Sequence, residues 1–229
     1  MGKIKILNAW HLKLIMVVLM SLDHIRHIEN IIPSDVGFVI NIVSRCVAPV
    51  FAFLVVEGII HTSNLIKYIV RLFLFAGITF AGSNILSIFL GRQWLLNTNV
   101  LIALAFSSLG IALIIWGKEK KKNILYVLSV ICFATGFLFG EWGTIIVPFM
   151  VLTYFFQSKS LYKYIGYGII CIIAVLIPFS EPYWFIALPF ILLYNGERGL
   201  NTIFSKYFFY IFYPVHLWVL ATINYFMQL

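Results

Sequence analysis

The residues of this sequence that could do chemistry gather in its first third. Asp23 and His24 stand side by side in "LKLIMVVLMSLDHIRH", residues 12–27, and Lys13 lies near the start of the same stretch. Arg45 and Glu57 follow in the next apolar segment, His61 at its end, and Lys67 and Arg71 in the one after. His216 stands apart, near the end of the chain, in "YIFYPVHLWVL". A histidine, whose unperturbed pKa is about 6.5, is the natural general base at neutral pH. Lysine and arginine are the natural ligands of phosphate. The chemistry these types suggest is proton transfer at one point and anion binding at another.

Such residues must be carried by elements that cross a bilayer. The chain has 229 residues, 62% hydrophobic and 10% charged, with a mean hydropathy of +1.02. Soluble domains carry about 25% charged residues, so composition gives an all-α fold, a polytopic transmembrane helical bundle. An ionisable side chain inside a span costs about 2.5–3.5 kcal/mol even on a lenient insertion scale, and needs a partner or a task. The net charge of +8 comes from Lys and Arg that lie between apolar segments. That is the positive-inside pattern, so nucleic acid is excluded as a partner and membrane lipids are the expected surroundings. Cys46, Cys132 and Cys171 fall inside apolar runs with no CxxC spacing, which gives neither a disulfide framework nor a zinc site. "DHIRH" offers metal-ligand types without a supporting set elsewhere, so no metal is expected.

Windows of about 20 apolar residues fall at 9–27, 36–60, 65–90, 96–116, 123–140, 143–157, 161–179, 182–194 and 205–227. About nine spans follow, in one domain over residues 1–229, with no repeat or linker. The first segment lacks a signal-peptide cleavage site and is read as a retained span. With the N-terminus in the cytoplasm, the inner side carries Lys3, Lys5, Lys67, the run "KEKKK" at 118–122, Lys159, Lys163, Arg198 and Lys206. The outer side then holds Arg26 and Arg92 among Glu29, Asp35, Glu141 and Glu181. This asymmetry favours an inside N-terminus and, with nine spans, an outside C-terminus. An eight-span alternative makes 182–194 re-entrant.

Helix geometry arranges the cluster. Lys13 and His24, eleven residues apart, share nearly one face and lie about 16 Å apart along the axis. Asp23 points about 100° away from His24, so its expected partner is His27 or, on another helix, Arg45. Lys67 and Arg71 are an i, i+4 pair of cations whose repulsion an anion would relieve, either Glu57 or a phosphate. Glu57 and His61 are also i, i+4. His11 and His27 lie at span ends, where histidine is ordinarily interfacial. Pro214 frees the carbonyl of Tyr210, and His216 either satisfies displaced backbone groups or serves the site.

Five successive stretches carry a family resemblance: "LKLIMVVLMSLDHI", "SRCVAPVFAFLVVEGIIHTSNLIKYIVRLFLFA", "NTNVLIALAFSSLGI", "GEWGTIIVPFMVLTYFF" and "KYFFYIFYPVHLWVL". In order and spacing they resemble the TraX family, whose namesake is a membrane protein that acetylates the N-terminus of F pilin. TraX proteins in turn resemble the acyltransferase-3 superfamily, which carries a basic residue upstream of an essential first-helix histidine, as Lys13 precedes His24. That superfamily also has paired arginines near the third helix, which Lys67 and Arg71 resemble with one Lys in place of Arg.

The resemblance implies a multi-pass acyltransferase of the bacterial cytoplasmic (inner) membrane, with acetyl-CoA as acyl donor. The phosphates of acyl-CoA would meet Lys67, Arg71 and Lys13, with His24 as base toward an amine or hydroxyl acceptor outside. Asp23 and Arg45 would organise the site, Arg45 or His216 would stabilise an oxyanion, and Glu57 and His61 would close the inner mouth. The acceptor is expected to be an exported peptide such as a pilin, or a lipid-linked or glycan group. Direct transfer and an acyl-histidine intermediate are both compatible with these residues. A small transporter or channel using the same cluster as a relay is the alternative.

Overall fold

Asn8 starts the first helix: its side chain accepts a hydrogen bond from the backbone N–H of His11 at 2.9 Å, the usual role of an Asn N-cap. From there α1 runs over Ala9–Ile25, and its buried stripe is Leu12, Met16, Met20 and His24 at four-residue spacing. His24 thus occupies the place where a core residue would come next. A computed structural model describes residues 6–28, 31–91, 94–176 and 182–228, which are predominantly helical, with no β-strand among them.

The helices after α1 are α2 (Ser34–Ser44), α3 (Val47–His61), α4 (Leu65–Leu90), α5 (Trp94–Asn97) and α6 (Val100–Lys120). Then come α7 (Asn123–Phe139), α8 (Gly143–Phe155), α9 (Ser160–Leu176), a 3-10 turn at Trp184–Ile186, α10 (Ala187–Leu192) and α11 (Ile203–Met227). Ser34–His61, Leu65–Leu90, Leu95–Lys120 and Ile203–Met227 are long and apolar enough to cross a bilayer, with α7, α8 and Leu161–Leu176 shorter and also apolar. The chain is an all-α membrane protein.

Two of the expected segments differ in detail. The segment at 36–60 is two helices, α2 and α3, which meet at Arg45 and Cys46. The segment at 182–194 holds only the 3-10 turn and the six residues of α10. At about 2.0 and 1.5 Å per residue these reach about 15 Å, half of a hydrocarbon core about 30 Å thick. Pro182 and Pro189 restrict helix on either side of the turn. Lys3, Lys5, Glu29, Arg92 and Glu181, used above to orient the chain, lie outside the described residues, as do residues 177–179.

The chain packs as two compact units that are interleaved in sequence. The first comprises residues up to 50, 77–98 and 183 onward. In it α1 packs on α11: Trp10 meets the edge of Phe209 with ring centroids 5.3 Å apart, and His24 meets His216 further along both helices. The two helices therefore run parallel. The segment before α11 is tied to the start of α1, since Ala9 N–H donates to the Glu197 carbonyl at 2.9 Å and Trp10 N–H to that of Arg198 at 3.2 Å. Gly199 allows this approach: its φ is +73°, and a Cβ there would stand 2.6 Å from Asn8 Cγ. At the head of α11, Thr202 and Ser205 form a reciprocal capping box.

The second unit comprises residues 51–76 and 99–182. Here α6, α7 and α8 pack closely because Gly140 faces Ala103 and Gly143 lies on the Gly136 carbonyl. Tyr167 of α9 stacks on Phe149 of α8 at 4.6 Å between centroids, and its hydroxyl shares a hydrogen bond with Thr153 at 2.6 Å. Lys163, placed above on the inner side, is buried, with its ammonium over the rings of Phe53 and Tyr164. Its place on α9, one turn into the helix, carries it inward.

Candidate active site

The first unit brings together Lys13, Asp23, His24, Arg45 and His216. On α1, Lys13 and His24 both turn to α11. The Lys13 ammonium lies 5.2 Å from the centroid of the Phe209 ring, and His24 Nδ1 lies 2.8 Å from His216 Nε2 in a shared hydrogen bond. Cation and imidazole pair are thus spread along one seam between parallel helices, as the helical period of α1 required.

The two imidazoles meet edge to edge. Their planes are 18° apart and their centroids 5.0 Å apart, close to the sum of two ring radii and the nitrogen-to-nitrogen distance. Both rings are buried. His216 is held on its far side by its Nδ1–H, which donates to the Phe212 carbonyl at 2.9 Å, and by the Phe212 ring, which is parallel to it within 9°. The carbonyl that His216 takes is Phe212's, one turn back on the helix.

Asp23 turns away from the pair, toward two arginines. Arg26 Nε donates to Oδ1 at 2.7 Å, and Arg45 Nη2 lies 3.0 Å from Oδ1 and 3.1 Å from Oδ2. Ser44 Oγ is 2.9 Å from Oδ1. Asn41 joins the cations from the other side, its Oδ1 accepting from Arg45 Nη2 at 2.6 Å and from Arg26 Nη2 at 2.8 Å, and its carbonyl from Arg45 Nε at 3.1 Å. The Arg45 guanidinium also lies 6.0 Å from the Trp184 ring centroid. With Nε and Nη2 engaged in this way, Arg45 is an organiser of the α1, α2 and α3 junction.

Arg26, Asn41, Ser44, Trp184, Phe209 and Phe212 were not among the residues singled out from sequence. Two of them had a signal. Arg26 is i+3 from Asp23, and Asn41 is i−4 from Arg45. The rest required the tertiary fold.

The remaining candidates lie in the second unit. Glu57 pairs with His61, Oε2 to Nδ1 at 4.0 Å, and His61 Nδ1–H donates to the Glu57 carbonyl at 2.8 Å. Among the described residues no ion pair joins Glu57 to Lys67 or Arg71, so Glu57 does not neutralise that cation pair. Lys67 is exposed at the start of α4. Arg71 is half-buried, with its guanidinium 5.7 Å from the Tyr68 ring centroid and its Nε buried without a hydrogen-bond acceptor among the described residues.

The TraX protein family model matches residues 9–224, from the first helix almost to the end of α11. The chain belongs to the TraX family. This TraX chain is also similar to the probable fimbrial assembly protein FimC, serogroup H1, of Dichelobacter nodosus. The two are 28% identical over 247 residues, covering 96% of this chain and 97% of that protein. No solved structure matches it. The residues matched by the family include both His24 and His216, the two ends of the imidazole pair.

Proposed function

We propose that this TraX protein is a membrane acyltransferase that moves an acetyl group from acetyl-CoA to an amine of an exported acceptor. The acceptor class to test first is the N-terminus of a pilin-like peptide, in keeping with the fimbrial assembly role in the relative's name. The observation that carries the reading is the imidazole of His24, buried on α1 against a second imidazole and beside the Asp23–Arg45 network. A bilayer span holds such groups where they have a task.

In this reading acyl transfer begins with attack of the amine on the thioester carbonyl, and His24 takes the proton released as the bond forms. Lys13, at the other end of the same helix face, meets a phosphate of the donor. Within the second unit, Lys67 and Arg71 are cationic groups suited to an anion, with Arg71 offering its unengaged Nε as a directed donor. Asp23 and Arg45 keep α1 and the start of α3 in register, so that His24 is presented at a fixed height. Phe212 and Phe209 keep the seam apolar.

The test is transfer by purified protein in lipid nanodiscs, supplied with radiolabelled acetyl-CoA and a synthetic pilin N-terminal peptide. The wild type is expected to label the free amine, and a peptide blocked at its N-terminus to stay unlabelled. His24→Ala, with its thermal unfolding unchanged, is expected to lose about 10²- to 10⁴-fold in rate. A folded His24→Ala that transfers at the wild-type rate overturns the assignment.

A further inference from the structure

His24 and His216 are joined by one hydrogen bond, and its direction follows from the bonds around it. The Phe212 carbonyl can only accept, so the proton on its 2.9 Å bond to His216 belongs to His216 Nδ1. A neutral imidazole carries one proton, which leaves His216 Nε2 as an acceptor. The 2.8 Å bond to His24 is then donated by His24 Nδ1–H. His24, carrying its single proton on Nδ1, holds its lone pair on Nε2. The near-coplanar, edge-to-edge rings are what a lone pair in the plane of one imidazole requires of the N–H of the other.

We infer that His216 is the positioning residue of this site: it fixes His24 in the Nδ1–H tautomer, so that Nε2 is the basic nitrogen, and it accepts the His24 Nδ1 proton when Nε2 is protonated. The inference rests on the acyltransferase reading for its chemical step, while the tautomer stands on geometry alone.

The amine nitrogen bonds to the thioester carbon, and its proton passes to His24 Nε2. The Nδ1 proton of His24 passes along the 2.8 Å bond to His216 Nε2, which becomes the imidazolium while its Nδ1–H stays on the Phe212 carbonyl. On collapse the carbon–sulfur bond breaks and the thiolate takes the proton from His24 Nε2. His216 then returns its Nε2 proton to His24 Nδ1. The products are the amide and free thiol, and both imidazoles end neutral. A buried imidazolium is costly, and on His216 that cost is offset by the Phe212 carbonyl its Nδ1–H already meets.

The experiment is nitrogen NMR on the full-length protein in nanodiscs with ¹⁵N-labelled histidine, assigned by single substitutions, alongside acetyl transfer on the same samples. In the wild type His24 is expected to show a protonated Nδ1 and an unprotonated Nε2. His216→Gln, which offers an acceptor oxygen near the position of Nε2, is expected to keep that tautomer and part of the activity. His216→Leu is expected to lose the tautomer and up to about 10⁴-fold in kcat, the scale of holding a catalytic imidazole in its wrong tautomer. A wild-type His24 protonated on Nε2 overturns the inference, and so does a tautomer that His216→Leu leaves unchanged. Because the wild-type measurement needs no variant, poor folding of His216→Leu does not remove the test. If the tautomers are as stated and no transfer is detected with any acceptor, the acyltransferase reading fails and the positioning of His24 by His216 stands.

Discussion

Arg45 reaches both carboxylate oxygens of Asp23, at 3.0 and 3.1 Å, across 22 positions of sequence. With Arg26 on the same carboxylate and Asn41 between the two cations, this pair ties the end of α1 to the α2–α3 junction. Arg45 is 5% exposed, so its charge depends on Asp23 far more than a surface ion pair would. Removing one partner of a buried pair leaves the other uncompensated and costs about 3–5 kcal/mol. Asp23→Asn is expected near the lower end of that range, since the Asp23 side chain keeps 16% exposure. Thermal unfolding in detergent reads it, and a double-mutant cycle with Arg45→Gln should show strong non-additivity. Additive losses would mean that the two residues stabilise separately.

Lys13 separates a binding role from a structural one. Its ammonium lies over Phe209, a contact worth about 0.5–2 kcal/mol. Lys13→Met keeps the apolar stem and is expected to leave unfolding within about 2 kcal/mol of the wild type, given the lost cation–π contact. If Lys13 meets a donor phosphate, KM for acetyl-CoA should rise about tenfold, equivalent to about 1.4 kcal/mol, with kcat little changed. Steady-state kinetics at varied acetyl-CoA decides it, and an unchanged KM removes Lys13 from the donor site.

Close packing in the second unit gives a prediction independent of function. A Cβ at Gly143 would collide with the backbone carbonyl oxygen of Gly136, and with that of Phe137 at 2.7 Å. Backbone cannot swing aside as a flexible side chain can, so Gly143→Ala is expected to cost about 1–3 kcal/mol. Gly77, inside α4, has nothing within 4 Å of its hypothetical Cβ. Gly77→Ala is expected to stabilise by about 0.4–1 kcal/mol through helix propensity and a less flexible unfolded chain. Opposite shifts in the midpoint of thermal unfolding check both, and equal shifts would contradict the packing described for α7 and α8.

How much of this was legible in the sequence depended on the range of the rule applied. Asp23 and His24 must point about 100° apart on a helix, which was enough to turn Asp23 away from the ring and toward Arg45. The Lys13–His24 face was equally legible, since eleven residues are close to three whole turns. His216 was visible only as a histidine after a proline. Nothing local says that its ring meets His24, 192 positions away. Arg26 was read as a loop charge because it follows the last apolar residue, yet i+3 spacing gives it to Asp23. The segment at 182–194 looked like a span because an apolar count is blind to the turn at Trp184–Ile186 and the brevity of α10. The burial of Lys163 is illegible for a different reason. A cation near a segment end carries no local sign of its partner, and α9 turns it onto Phe53.

Arg71 tests whether the second unit binds an anion. Its Nε is buried without an acceptor among the described residues, while the neighbouring Lys67 is exposed. A buried guanidinium donor left unpaired costs free energy that an anion would recover. CoA itself is therefore expected to raise the midpoint of thermal unfolding, by an amount equivalent to about 2.7 kcal/mol at a concentration 100 times its Kd. Arg71→Leu should abolish most of that shift. Lys67→Ala, an exposed change expected to alter intrinsic stability by no more than about 0.5 kcal/mol, should keep most of it. Arg71→Lys retains the charge without the planar fork and is expected to restore the shift only in part. Dephospho-CoA and pantetheine complete the series, because a shift that survives removal of every phosphate would arise from the pantetheine arm and leave Arg71 with a packing role on Tyr68.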